Sequence, residues 1–223
     1  DQKGKDAHLF SGTGMLDDTW WHRTYWVYGK NYGSGWPGYY LAGKTAPAGR
    51  ILAADDDGIC GFGRLKQYCR WSKQYQYMLY GTDYDHNEKW ARAVPILIRA
   101  MVKADDALCI LGPRELINQE DAFKSITTDE TQAILAEQDE RLRGQRGALL
   151  LSVDAADGTI RSGYRLPTTP VFDGLASVDG RLFAAMSDGT VACFGPEGTP
   201  LEEIAAAEID EYNANAVLRT PGG

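Results

Sequence analysis

The sequence predicts an all-β fold with one helical insertion. Three apolar stretches are each interrupted by an Asp-Gly pair, at Asp57-Gly58, Asp157-Gly158 and Asp188-Gly189, and a further strand between the last two has its own Asp-Gly turn at Asp179-Gly180. Asp-Gly between alternating apolar residues is a strong hairpin signal, because both residues tolerate the positive φ of a tight turn. The 25 glycines and 12 tyrosines of the chain also favour strands joined by tight turns. Short strands at regular spacing are typical of a β-propeller or a β-sandwich.

An aromatic-rich segment, LDDTWWHRTYWVYG, occupies residues 16–29. As a strand it would carry aromatic side chains on both faces. One face would hold Trp20, His22, Trp26 and Tyr28, and the other Trp21, Arg23, Tyr25 and Val27. Two aromatic faces favour an inner strand packed between two blades. The alternative is a stacking platform for a planar cofactor or a sugar, since aromatic rings combine large apolar faces with a polar handle.

The candidate ligand-binding residues come from this segment and from the polar and aromatic positions that follow it. They are Trp20, Trp21, His22, Arg23, Trp26, Trp36, Arg64 and Trp71. In a buried strand, His22 and Arg23 would satisfy backbone carbonyls or pair with a carboxylate. A metal site built from His22, Asp17 and Asp18 lacks a recognisable ligand spacing, so no metal is predicted. Arg64 follows the first hairpin, where it could line a central channel or bind carboxylates.

The four cysteines include no CxxC motif, which argues against a zinc ribbon and covalent haem attachment. The segment GICGFGRLKQYCRW predicts two short strands around Arg64, and Cys60 and Cys69 would then face each other across them. That separation suits a disulfide in a non-hydrogen-bonded pair, and the alternative is two small, inert residues in a sheet. Cys109 and Cys193 lie in apolar runs and are predicted to be core thiols.

One segment, TTDETQAILAEQDERLRGQRG, departs from the strand pattern. Thr127 and Glu130 have the spacing of a capping box, and Gly144 is placed to end the helix. The segment therefore predicts a helix of about four turns. A weaker helical stretch, PLEEIAAAEIDEY, follows the last hairpin.

The residues after the predicted helix resemble a known repeat. LLLSVDAADGTIRSGYRLPTTPVFDGLASVDGRLFAAMSDGTVACFG is similar to the blade of PQQ-like β-propellers, the quinoprotein-dehydrogenase-like superfamily. A blade there runs strand, DA.DG turn, strand, P.F.G turn, strand, DG turn and strand. HLFSGTGMLDDTWWHRTYWVYGK and PAGRILAADDDGICGFGR look like the C-terminal half of large bacterial propellers of this kind. The resemblance spans about His8 to Gly195.

The resemblance implies a partial β-propeller of four-stranded blades. At about 40 to 50 residues per blade, the chain has room for about three or four, whereas rings of this superfamily usually have about seven or eight. A partial ring would leave apolar sheet faces and strand edges exposed. We therefore expect the N-terminal half of the same propeller, or other protein subunits, to complete the ring.

The predicted organisation has four parts. They are propeller blades with the aromatic-rich first segment at 1–118, the helical insertion at 119–146, a PQQ-like blade at 147–196, and a C-terminal helix and tail at 197–223.

The resemblance implies a non-enzymatic binding or scaffolding subunit of a bacterial cell-envelope assembly, outside the cytoplasm. One alternative is a fragment of a PQQ-dependent oxidoreductase, which would need PQQ, a calcium ion and an Asp as general base. The adjacent cysteine pair of many such enzymes is absent from the sequence. A second alternative is a carbohydrate-binding propeller. Under the first interpretation no cofactor is predicted. PQQ and calcium are predicted only if the chain is an oxidoreductase fragment.

Charge and hydropathy restrict the partners. The net charge of −8, with dispersed Lys and Arg, argues against nucleic acid. No apolar run is long enough to span a bilayer, so no transmembrane segment is expected. The first residue is Asp1 rather than Met, which is typical of a processed or truncated product.

Overall fold

The computed structural model describes residues 6–11, 26–30, 47–63 and 77–218. In this part the protein is mostly β, with several antiparallel sheets and three helices, so the β-rich class is confirmed. No closed propeller is identified among these residues, and the ring stays a prediction. The chain divides into two compact units between Ala91 and Arg92, inside the segment that the sequence analysis assigns to the first blades.

The first unit contains two sheets. Its strands are β1 (His8–Ser11), β2 (Trp26–Gly29), β3 (Ala48–Gly49), β4 (Ile51–Asp55), β5 (Gly58–Gly63), β6 (Met78–Thr82) and β7 (Glu88–Arg92), the last of which ends at the boundary. Strands β1 to β3 form one sheet, and β4 to β7 form a second sheet in sequence order. Asp55 pairs with Gly58, so the predicted β4–β5 hairpin is confirmed with its turn one residue earlier, at Asp56 and Asp57.

The second unit contains two sheets and the three helices. Its strands are β8 (Ala100–Ala104), β9 (Ala107–Gly112), β10 (Ala148–Asp154), β11 (Ile160–Leu166), β12 (Pro170–Val178), β13 (Arg181–Met186), β14 (Val191–Phe194) and β15 (Glu202–Glu203). The helices are α1 (Gln119–Lys124), α2 (Asp129–Leu142) and α3 (Ala206–Leu218). One sheet has the order β15-β11-β10-β9-β8, and the other is β12-β13-β14.

Tight turns close the hairpins of the second unit as the Asp-Gly pairs predict. Asp179 and Gly180 both have positive φ, of 50° and 69°, which is the geometry of a type I′ turn. Gly158 and Gly189 also have positive φ, of 77° and 87°. The β8–β9 hairpin was not predicted, because its turn begins at Asp105 with no glycine after it. Asp105 adopts a φ of 52°, which Asp tolerates better than most residues.

The helical insertion lies between β9 and β10, as the sequence predicts. The cap of α2 is Thr128 rather than Thr127, because the Thr128 side chain accepts a bond from Thr131 N–H at 3.3 Å. A buried polar side chain anchors the helix to the segment that follows β9. Buried Gln138 accepts a bond from Leu116 N–H at 2.8 Å and donates to the Arg114 carbonyl at 3.1 Å.

One hydrophobic core cluster of the second unit lies between its two sheets. The five-stranded sheet contributes buried side chains from Ala100, Leu111, Ala148, Leu150 and Leu166. The three-stranded sheet contributes Ala184 and Met186, with Leu182 and Phe194 partly buried beside them. One face of β13 and β14 is therefore covered by the neighbouring sheet.

Candidate functional site

Trp26 is the one predicted ligand-binding residue that lies in the described part. It begins β2, is half-buried, and pairs through the backbone with Ser11 and Gly49. The next residue, Val27, is fully buried, which agrees with the predicted alternation of faces. The remaining candidates lie outside the described residues, and their binding role stays a prediction. They are Trp20, Trp21, His22, Arg23, Trp36, Arg64 and Trp71.

Tyr28, predicted on the same face as Trp26, takes part in packing within the first unit. Its ring lies 5.5 Å from the Tyr84 ring, centroid to centroid. The Tyr84 hydroxyl donates a hydrogen bond to the Asp55 carbonyl. Burial, together with the neighbouring Tyr28, raises the pKa of Tyr84 to about 12. This end of the aromatic face therefore has a structural role.

Cys60 lies in the middle of the first unit's larger sheet. It is buried on β5 and is paired with Ala53 on β4 and Gly81 on β6, so both edges of β5 are occupied. Cys69 lies outside the described residues, and the disulfide stays a prediction. Cys109 is half-buried, and burial raises the pKa of its thiol.

The outer face of the three-stranded sheet is the candidate functional site. Side chains directly opposite each other on paired strands share a face. By this rule, the outer face consists of Ala176 and Val178 on β12, Arg181, Phe183 and Ala185 on β13, and Val191 and Cys193 on β14. Arg181 is its one charged side chain among the described strands.

Much of this outer face is exposed. Val191 is 71% and Val178 53% exposed, and Phe183 is half-buried. Cys193 is also exposed, so its prediction as a core thiol is wrong: alternation along β14 turns it away from the core. An exposed group of apolar side chains on one sheet face is typical of a surface that another protein covers.

The edge of the sheet at β14 is open in the described part of the chain. Met186 N–H donates to the Thr190 carbonyl at 2.9 Å, which fixes the phase of the β13–β14 ladder. Hydrogen-bonded and non-bonded pairs alternate in an antiparallel ladder. The backbone N–H and C=O groups of Ala192 therefore face β13, and those of Val191 and Cys193 face away from it. Among the described strands, β13 alone pairs with β14.

Opposite charges lie near the two ends of this edge. At the start of β14, Asp188 accepts bonds from the Thr190 hydroxyl at 2.7 Å and the Thr190 N–H at 3.0 Å. These bonds lower the pKa of Asp188, so it is ionised at neutral pH. At the other end, the Arg181 side chain lies against Gly195, where an added Cβ would be 3.4 Å from its Cγ. Asp188 is thus separated from Arg181 by the length of β14.

The sequence contains a signal for this surface in the two strands that follow Asp179-Gly180. In RLFAAMSDGTVACF, apolar residues occupy both sets of alternating positions. Strands that are apolar on both faces are normally covered on both faces. The structure covers the face with Ala184 and Met186 and leaves much of the face with Val191 exposed.

No protein family, curated protein or solved structure matches the chain. Among the described residues, no three His, Cys, Asp or Glu side chains group closely enough to hold a metal ion. No helix in the same part of the chain is long and apolar enough to cross a membrane.

Proposed function

We propose that the chain is a non-enzymatic, PQQ-like β-propeller module that serves as a binding or scaffolding subunit of a bacterial cell-envelope assembly. The observation that carries the proposal is the outer face of β12–β14, which is apolar and largely exposed. In a propeller, each blade packs its faces against its neighbours. The N-terminal half of the same propeller, or another subunit, would supply the sheet that covers this face.

The arrangement of strands also supports the proposal. Strands β4 to β7 form a four-stranded sheet in sequence order, and β8 to β11 are adjacent in sequence order within their sheet. Four successive strands, each next to the one before, are what a propeller blade requires. Strands β12 to β14 repeat this pattern with three strands. The segment that resembles a PQQ-like blade, 149–195, contains β11 and nearly all of β10 of the second group and all of the third, so the structure divides it between two sheets.

The test is a native mass spectrum of the protein purified from its natural source. We expect the chain inside a heavier particle, whose remaining mass identifies the partner. Ala176→Glu places a charge on the outer face and is expected to release the partner. Ala133→Glu is the matched control, since Ala133 is also exposed but lies on α2.

A lone chain at its own mass would contradict the proposal. The absorbance of a bound quinone would contradict the non-enzymatic part of the proposal. Glycan binding that Trp36→Ala abolishes would contradict the protein-binding part.

A further inference from the structure

We propose that the edge strand β14 pairs with β14 of a second copy of this chain, antiparallel, across a two-fold axis at Ala192. The inference rests on the proposed function, and it names a second copy of this chain as the partner at the open edge of the three-stranded sheet. It would join two three-stranded sheets into one continuous sheet. Three features of the edge carry it: the backbone groups, the side chains and the charges.

The backbone groups of β14 fit this pairing. The outward N–H and C=O groups belong to Val191 and Cys193, as the β13–β14 ladder requires. With the axis at Ala192, Val191 of one copy lies opposite Cys193 of the other and exchanges two hydrogen bonds with it. The symmetric pair adds two more. The pairing thus satisfies the outward groups that lack a strand partner among the described residues.

The side chains are self-complementary in the same register. Val191 and Cys193 face each other on the outer side, so exposed apolar groups gain apolar neighbours. Ala192 meets its own copy at the axis, where the pair is not hydrogen-bonded and the chains approach most closely. The small alanine side chain permits that approach.

The charges are compatible with this register. An antiparallel copy places the start of one β14 beside the end of the other, so Asp188 of each copy approaches Arg181 of its partner. With the axis at Ala192, Asp188 lies one residue past the Gly195 row on which Arg181 lies, whereas an axis at Cys193 would place it three residues past that row. Both strand pairs within this sheet are antiparallel as well. Two Asp188–Arg181 pairs therefore lie at the ends of the shared ladder.

A charge-exchange experiment on the full chain tests the pairing by sedimentation equilibrium. Asp188→Arg alone brings like charges together, and so does Arg181→Asp alone. Each is expected to raise the dimer dissociation constant about tenfold, since exposed ion pairs are individually weak and each variant alters two of them. The double variant Asp188→Arg/Arg181→Asp restores opposite charges and is expected to return the constant close to that of the native chain.

A backbone variant provides an independent readout. Cys193→Pro removes an outward N–H without removing a bond to β13, because proline is tolerated on edge strands in this orientation. It is expected to abolish the dimer, whereas the control Cys193→Ser keeps the N–H and the dimer. Amide exchange supplies a third measurement, in which Val191 and Cys193 become protected as the chain concentration rises.

The outcomes separate the two proposals. A native chain that stays monomeric at about 100 µM would overturn the self-pairing. So would a dimer that neither the single charge variants nor Cys193→Pro weakens. A heavier particle with a different protein and one copy of this chain would overturn the self-pairing and leave the proposed function intact. If the native chain formed neither a dimer nor a heavier particle, the self-pairing and the proposed function would both be overturned.

Discussion

The two sheets of the second unit differ in how completely they are covered. In the five-stranded sheet, the neighbouring residues Leu150 and Leu151 point to opposite faces, and both are buried. In the three-stranded sheet, Ala184 is fully buried, whereas Val191 on the opposite face is 71% exposed. At these positions the first sheet is therefore covered on both faces, and the second has a face and an edge that another protein can occupy.

The edge of the five-stranded sheet at β11 and the edge of the three-stranded sheet at β14 also differ in how completely they are covered. Along β11, Gly163 accepts a bond from Ile204 N–H at 2.9 Å, next to the short pairing with β15. Further along, the Asn213 side-chain amide accepts from the Ile160 N–H at 2.9 Å and donates to its carbonyl at 3.0 Å. An edge closed in this way is protected against pairing with other strands. No such closure covers β14 in the described part of the chain.

An ion-pair network holds the closing segment on β11. The Arg165 guanidinium lies 2.6 Å from Glu208 on α3 and 3.3 Å from Glu202 on β15. The Tyr212 hydroxyl also donates to Glu208. These bonds lower the pKa of Glu208, and burial beside this carboxylate raises the pKa of Tyr212 to about 12. The C-terminal helix therefore belongs to the protected edge.

The largest effect is expected where the two sheets meet. Leu111→Ala removes a fully buried side chain from the shared core, so we expect the free energy of unfolding to fall by about 3 kcal/mol. Val191→Ala on the outer face is the control, with a change within about 0.5 kcal/mol. Urea unfolding of the monomeric chain measures both. Equal effects would mean that the outer face is covered within the chain, which would remove the difference between the sheets.

Asn213→Ala tests the closed edge. The substitution leaves the Ile160 N–H and C=O without their side-chain partner, and we expect a loss of about 1–3 kcal/mol. Asn213→Asp keeps the acceptor but not the donor and should fall between the native chain and the alanine variant. Amide exchange at Ile160 should quicken in parallel with the loss of stability. Unchanged exchange would mean that Asn213 does not protect this edge.

Local signals account for most of the fold that could be predicted from the sequence. The Asp-Gly pairs located the type I′ turn at Asp179-Gly180, because only a few residues accept positive φ at both positions. The cap of α2 was placed one residue early, because Thr127 and Thr128 are equally able to cap and the backbone decides between them. The β8–β9 turn gave no glycine signal, so Asp105 was missed.

The candidate site was harder to predict, because it depends on which face of the three-stranded sheet is left uncovered. The sequence indicates that β13 and β14 are apolar on both faces, as Phe183 and Ala184 illustrate. Which face the neighbouring sheet covers is decided by packing between segments that are far apart in the sequence. Ala100 and Ala184, for example, belong to the same core cluster. The exposed Cys193 is a consequence of that choice, and local sequence could not supply it.

The smallest effect on stability is expected from Glu208→Gln. Its pH dependence tests the comparison between the closed edge at β11 and the open edge at β14. The folded pKa of Glu208 is lowered from the ordinary 4.5, so its ionised form stabilises the fold above that value. This stability is lost as pH falls through the folded pKa. At pH 7 we expect the variant to be less stable by under about 1 kcal/mol, since the partially exposed pair with Arg165 is screened by solvent.

The difference between Glu208→Gln and the native chain should shrink below pH 4.5, as native Glu208 also becomes neutral. Urea unfolding at several pH values measures this change. Glu203→Gln is the control, because Glu203 is an exposed residue of the same closing segment. If acid weakens the closed edge, amide exchange at Ile160 should slow with falling pH less than the intrinsic exchange rate does, so that its protection decreases. An equal relative change at Val191 would mean that the two edges are protected alike, and the distinction between them would fail.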